Sequence, residues 1–242
     1  MLFLNGSGST LATTAPLIDV VAGRLEVVAH DQRGVGRSSI PGGPYTMAQH
    51  AADALGLLDV VGWSTCRVVG VSFGGMVAQE LAVTAPARVE LLALLCTSAG
   101  GDGGASYPLH ELVGLAPSRR AEISRQLLDS RFTDEWLETH PGDRRLVDTM
   151  AQRGTGGSDD VRRGRAEQLE ARRHHDVWSR LGRITCPTFV AAGRFDGIAP
   201  LANSEAIVSR VDGATLHVYD GGHAFFAQDR RALPEVIEFL AM

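Results

Sequence analysis

Three residues of this 242-residue chain could together carry out nucleophilic chemistry. Ser72 lies in "GVSFGG", residues 70–75, with Gly70 and Gly74 two positions to either side. Asp196 lies in "GRFDGIAP" and His223 in "YDGGHAFF". A serine hydroxyl is a weak nucleophile; it needs a base, and the base needs an acid to orient it. The order Ser, Asp, His is the one expected when the nucleophile sits on a strand-to-helix elbow. The serine pattern alone decides little. With 28 glycines in the chain, chance supplies a G-x-S-x-G match about one time in five. Its context has to carry the argument.

Short apolar, β-branched runs supply that context. Runs at 2–4, 25–30, 66–72, 89–97, 188–193 and 215–220 predict strands of a buried parallel sheet. Helical spacing fills 46–62, 74–86 and the C-terminal stretch from Pro234, so the fold class is α/β. Ser72 therefore ends a strand and precedes a helix. Asp196 and His223 each follow a late strand, at the carboxyl ends where open parallel sheets bind their ligands. Asp102, in "SAGGD" after the preceding strand, is the competing acid.

Acyl transfer also needs donors for an oxyanion. The N–H of Phe73 is one. The Gly-rich loop "LNGSG", after the first strand, offers the N–H of Ser7 as the second.

Residues 103–182 break the strand–helix rhythm. They carry 13 arginines and 13 acidic residues, with helical spacing around 109–115, 119–129, 133–139, 144–151 and 161–180 and a loop at 154–160. This reads as a helical insertion, residues 103–182, in a core made of 1–102 and 183–242. Trp136, Trp178, Phe225 and Leu112 are apolar candidates for a pocket wall. Simple packing explains each of them equally well.

The totals exclude several classes. The net charge is −5 and no basic stripe is present, so nucleic acid is not an expected partner. The chain has no lysine, which removes Schiff-base, P-loop and Ser-Lys chemistry. Cys66, Cys96 and Cys186 are scattered in or beside apolar runs and read as small buried hydrophobes, with no metal or disulfide spacing. The adjacent His174 and His175 diverge on a helix and poorly share one ion. No apolar run is long enough to span a bilayer, and the first residues lack a signal-peptide pattern. A cytoplasmic protein without membrane contact is the default expectation.

Taken in order, "LNGSG", "DQRGVGRS", "GVSFGG", "GRFDGIAP" and "GGH" span nearly the whole chain and resemble an α/β-hydrolase-fold serine hydrolase. Asn5 and "GRFDGIAP" look like the 3-oxoadipate enol-lactonase and carboxylesterase branch. The resemblance implies a mostly parallel sheet flanked by helices, with 103–182 as a helical cap. Asp31 and Arg33 would hold a structural loop by hydrogen bonds. Relatives open with two further strands, so a sheet in the order 4-3-5-6-7-8 of the family's naming is expected. The strand 25–30 would then be an edge, through which a homodimer is conceivable.

The resemblance also implies hydrolysis of a small ester or lactone by a Ser-His-Asp triad, with no cofactor and no metal. The same triad serves carbon–carbon bond hydrolases and cofactor-free haloperoxidases or perhydrolases. A non-catalytic small-ligand binder on the same scaffold is the alternative of another class.

Overall fold

The computed structural model describes residues 1–153 and 157–242. The strands are β1 (Leu2–Leu4), β2 (Val28–Ala29), β3 (Cys66–Val71), β4 (Val89–Leu95), β5 (Thr188–Gly193) and β6 (Thr215–Tyr219). They form one six-stranded sheet in the order β2-β1-β3-β4-β5-β6, and every pair is parallel. In the family's naming this is the expected 4-3-5-6-7-8. The second strand is shorter than the run 25–30 suggests, and it is an edge with β1 as its partner.

Alternate side chains of each strand face opposite sides of the sheet, and both sides are covered. Leu2, Leu4, Val68, Leu92, Leu94 and Val190 face one core. There they meet α2 (Met47–Val60), α3 (Phe73–Thr84) and α8 (Leu201–Val208). Phe3, Val69, Val71, Leu91, Ala93 and Ala191 face the other. There they pack against α1 (Leu11–Ala22) and α10 (Ala232–Ala241). A four-residue helix, α9 (Phe225–Gln228), precedes α10.

Thr46 caps α2 with a reciprocal capping box to Gln49. Met47, His50, Ala51, Ala54 and Leu58 are then buried together on one face of the helix. All three cysteines are buried and free.

Between β4 and β5 the described chain is helical. It forms α4 (Pro117–Leu128), α5 (Asp134–Thr139), α6 (Pro141–Arg153) and α7 (Asp159–Arg173), with 3-10 turns before α4 and after α7. The stretch 109–115 is a 3-10 turn at Leu109–Leu112, not a full helix. The stretch 161–180 ends as a helix at Arg173; after it, Asp176 bridges to Gly100 and a 3-10 turn runs from Trp178 to Arg183. Part of the predicted loop 154–160, residues 154–156, lies outside the described residues.

One face of α7 is fastened to the core. The amide of Gln168 accepts from the N–H of Gly8 at 2.9 Å and donates to the carbonyl of Arg33 at 3.0 Å. Gly164 packs on the backbone of Gly34 so closely that any Cβ there would collide with the Gly34 carbonyl. No helix among the described residues is long and apolar enough to cross a membrane.

Candidate active site

Ser72 sits between the end of β3 and the start of α3, at φ +55° and ψ −114°. This is a strained conformation for a residue with a Cβ. The glycines around it answer to backbone contact. A Cβ on Gly70 would collide with the carbonyl of Gly74, and one on Gly74 with the carbonyl of Leu4. A Cβ on Gly75 would lie 2.6 Å from that of Thr97. The Thr97 hydroxyl donates to the carbonyl of Ser72 at 2.9 Å, so β4 braces the turn from its neighbouring position.

The loop after β6 delivers His223. Its N–H donates to the carbonyl of Leu128 at 2.6 Å, and Gly222 fits flush against that same carbonyl. The loop after β5 delivers Asp196, whose side chain is fully buried. Imidazole Nε2 lies 2.9 Å from Ser72 Oγ, and Nδ1 lies 2.8 Å from Asp196 Oδ2. The other oxygen, Oδ1, accepts from the N–H groups of Ile198 and Ala199 at 2.7 and 2.9 Å. The carboxylate is therefore fixed on both sides. A carboxylate at Nδ1 accepts a hydrogen bond from the ring N–H there, keeping the proton on Nδ1 and leaving Nε2 as an acceptor toward the serine hydroxyl. Asp102, the competing acid, is exposed in the 3-10 turn Gly101–Gly103.

Phe73 opens α3, and the first N–H groups of a helix have no partner within it. The loop carrying Ser7 lies beside the serine: a Cβ on Gly6 would stand 3.7 Å from Ser72 Cβ. The side chain of Asn5 is buried without a partner, while the Asn5 backbone carbonyl accepts from the Gln32 side-chain amide at 2.7 Å. The "DQRGVGRS" loop is tied as expected. Asp31 accepts from the N–H groups of Leu11 and Arg37, and Arg33 makes a two-pronged ion pair with Asp53.

The four apolar wall candidates do not converge. Phe225 is fully buried in the core on the α10 side, stacked on Tyr219 at 5.1 Å. Trp178 packs on the opposite core, under the Arg210 guanidinium at 4.5 Å. Trp136 joins a small cluster with Leu128, Phe132 and Leu137, and its indole N–H donates to Asp143 at 2.8 Å. Leu112 is buried in its 3-10 turn. His174 is exposed on Glu170 while His175 is buried on Ser98, so they part as expected. No group of metal-binding side chains forms among the described residues.

Two buried side chains escape sequence reasoning. Gln168 links α7 to both core loops, and Arg172, one turn later, is 6% exposed. Both stand in "GRAEQLEARRHH", where polar density hides the face that turns inward.

The family model for the alpha/beta hydrolase fold matches residues 1–229. A poly(3-hydroxyalkanoate) depolymerase from Ectopseudomonas oleovorans is 31% identical, over 99% of this chain and 83% of that one. The 3-oxoadipate enol-lactonase 2 of Acinetobacter baylyi is 28% identical, over 98% of this chain and 86% of that one. Among solved structures, a hydrolase from Pseudomonas aeruginosa superposes with a TM-score of 0.80 at 29% identity, covering 100% of this chain and 89% of the other.

Proposed function

The chain belongs to the alpha/beta hydrolase fold family, a family of hydrolytic enzymes, and from that premise we propose that it cleaves a small carboxylic ester or lactone through an acyl-enzyme on Ser72. The observation that carries this is the unbroken run of hydrogen bonds from Ser72 Oγ through His223 to a buried, doubly held Asp196.

In the first step His223 Nε2 takes the proton from Ser72 Oγ as the oxygen attacks the carbonyl carbon. Negative charge collects on the carbonyl oxygen and is met by the N–H groups of Phe73 and Ser7. Asp196 holds the ring in its tautomer and stabilises the imidazolium. The C–O bond to the alcohol then breaks, and the alcohol leaves with the proton from Nε2. In a lactone the same bond opens the ring and the alcohol stays attached. Water, deprotonated by the same nitrogen, attacks the acyl carbon; the acyl–Oγ bond breaks, Ser72 Oγ takes the proton back from Nε2, and the acid is released.

The helices between β4 and β5 serve as the cap that limits substrate size. The name of one relative favours an ester over a carbon–carbon bond, since it is an enol-lactonase and a lactone is a cyclic ester.

A panel of p-nitrophenyl esters and lactones tests this. Ser72→Ala is expected to lose at least about a thousandfold in kcat with the fold intact. An organophosphate is expected to label the peptide containing Ser72 in the wild type alone. Wild-type turnover in Ser72→Ala would overturn the proposal.

A further inference from the structure

The stretch Leu127–Arg131 leaves α4, leads toward α5, and touches both loops that carry the acid and the base. The carbonyl of Leu127 accepts from the N–H of Gly197, just after Asp196, at 3.0 Å. The carbonyl of Leu128 accepts from the N–H of His223 itself at 2.6 Å. The N–H of Ser130 donates to the carbonyl of Phe195, just before Asp196, at 3.0 Å. The approach is backbone against backbone. A Cβ on Gly197 would stand 2.9 Å from Leu127 Cα, and one on Gly222 would stand 2.0 Å from the Leu128 carbonyl oxygen.

Asp129 lies in the middle of this stretch, with its side chain fully buried. Its Oδ1 accepts from the N–H and from Nε of Arg131, both at 3.0 Å. Its Oδ2 accepts from Arg131 Nη2 at 2.7 Å and from Gln228 Nε2 at 2.9 Å. Gln228 in turn accepts, through Oε1, from the N–H of Gly222, the neighbour of His223, at 2.9 Å. Nη1 of Arg131 donates to Asp220, the first residue after β6, at 2.9 Å. The same guanidinium lies over the ring of Phe195, 3.9 Å from its centre.

Burying a carboxylate is costly, and a buried ion pair is often no better for stability than apolar residues of the same shape. What the carboxylate supplies here is direction. Its four hydrogen bonds fix the turn at Arg131 and, through Gln228, the amide beside the base.

On the reading that Asp196 and His223 serve Ser72 in ester cleavage, we infer that Asp129 is a positioning residue: it locks the stretch Leu127–Arg131 across the acid and base loops, and Gln228 carries its hold to His223. Arg131 completes the lock with one contact on each loop, Phe195 and Asp220. Loosening the stretch lets the two loops drift independently, and a misplacement of about 1 Å in a catalytic group can cost a hundredfold in rate.

Asp129→Asn keeps the shape, removes the charge and turns one acceptor into a donor. Gln228→Met removes the bond to Gly222. Each is expected to lower kcat on a p-nitrophenyl ester by about tenfold to a hundredfold, with KM within about threefold. Ile207→Val, on the core side of α8, controls for lost stability alone and is expected to hold kcat within about twofold. If Asp129→Asn does not fold, Gln228→Met carries the test. A kcat within about twofold in the folded variants, or a rise in KM alone, overturns the inference.

A second readout needs no turnover. The proton between His223 Nδ1 and Asp196 Oδ2 is deshielded by its charged acceptor and resonates far downfield in the proton NMR spectrum, where its loss in Asp196→Asn identifies it. It is expected to shift or broaden in Asp129→Asn and Gln228→Met and to stay in place in Ile207→Val. An unmoved resonance in both variants overturns the positioning role. If the wild type cleaves no ester, the ester reading falls, while this resonance still decides whether Asp129 aligns the pair.

Discussion

The N–H of Ser72 donates to the carbonyl of Leu95 at 2.8 Å while the serine itself stands at φ +55°. The sheet's own ladder thus extends one residue past β3 and pins a backbone that would otherwise relax. Cys96, at the matching exit of β4, shows the same pattern, with φ +45° and its N–H on Ala191. Strain of this kind costs about 1–3 kcal/mol and is held by the surrounding structure.

Ser72→Gly removes the strain because glycine accepts positive φ. It also adds freedom to the unfolded chain, which costs back part of the gain. The expected net is a stabilisation of about 1 kcal/mol in urea unfolding, together with loss of the proposed esterase activity. A variant less stable than the wild type would mean that the serine is not strained in the sense argued.

Asp196 and Asp102 separate cleanly by exchange to asparagine. Asp196→Asn keeps the shape but favours the wrong imidazole tautomer, and kcat should drop by about 10³–10⁴. Asp102→Asn alters an exposed side chain and is expected to leave kcat within about twofold. Steady-state kinetics on one ester decides between them, and a crippled Asp102→Asn enzyme would displace Asp196 from its role.

Two histidines make stability depend on acidity. His50, edge-on to Phe73 at 4.9 Å and with neither nitrogen bonded, is brought down to about 4 by burial. His175 is brought to about 4 by the same cause. Unfolded, each titrates near 6.5. The unfolded state therefore binds more protons between pH 6.5 and 4, and stability rises with pH there. The contribution is complete above about pH 6.5 and is lost on acidification, by about 3 kcal/mol per histidine at pH 4. Urea midpoints should fall from pH 7 to pH 4.5, with a shallower fall in His50→Phe. An unchanged slope in that variant would remove His50 from the account.

The sheet was legible because its strands are short runs dominated by apolar and β-branched residues, interrupted only singly by Arg67, Glu90 and His217, and the serine turn because backbone collisions demand glycine at fixed offsets. Other parts left no such trace. Helix α1 has Pro16 inside it and no charged residue in its first turn, so its pattern is masked. Trp136, Trp178, Phe225 and Leu112 show that aromatic and aliphatic type does not say which way a side chain turns. Arg172 and its neighbour Arg173 are chemically identical; packing alone makes the first buried and the second exposed. Composition counts both as solvated charge.

Gln168 also bears on how this enzyme can be rebuilt. Swinging α7 outward would strand the N–H of Gly8 and a buried amide, and would break the Gly34–Gly164 contact. The helix is a strut, not a door. A chimera that imports another hydrolase's helices between β4 and β5 must keep Gly164 and Gln168 in register, or it will loosen the two core loops that they hold.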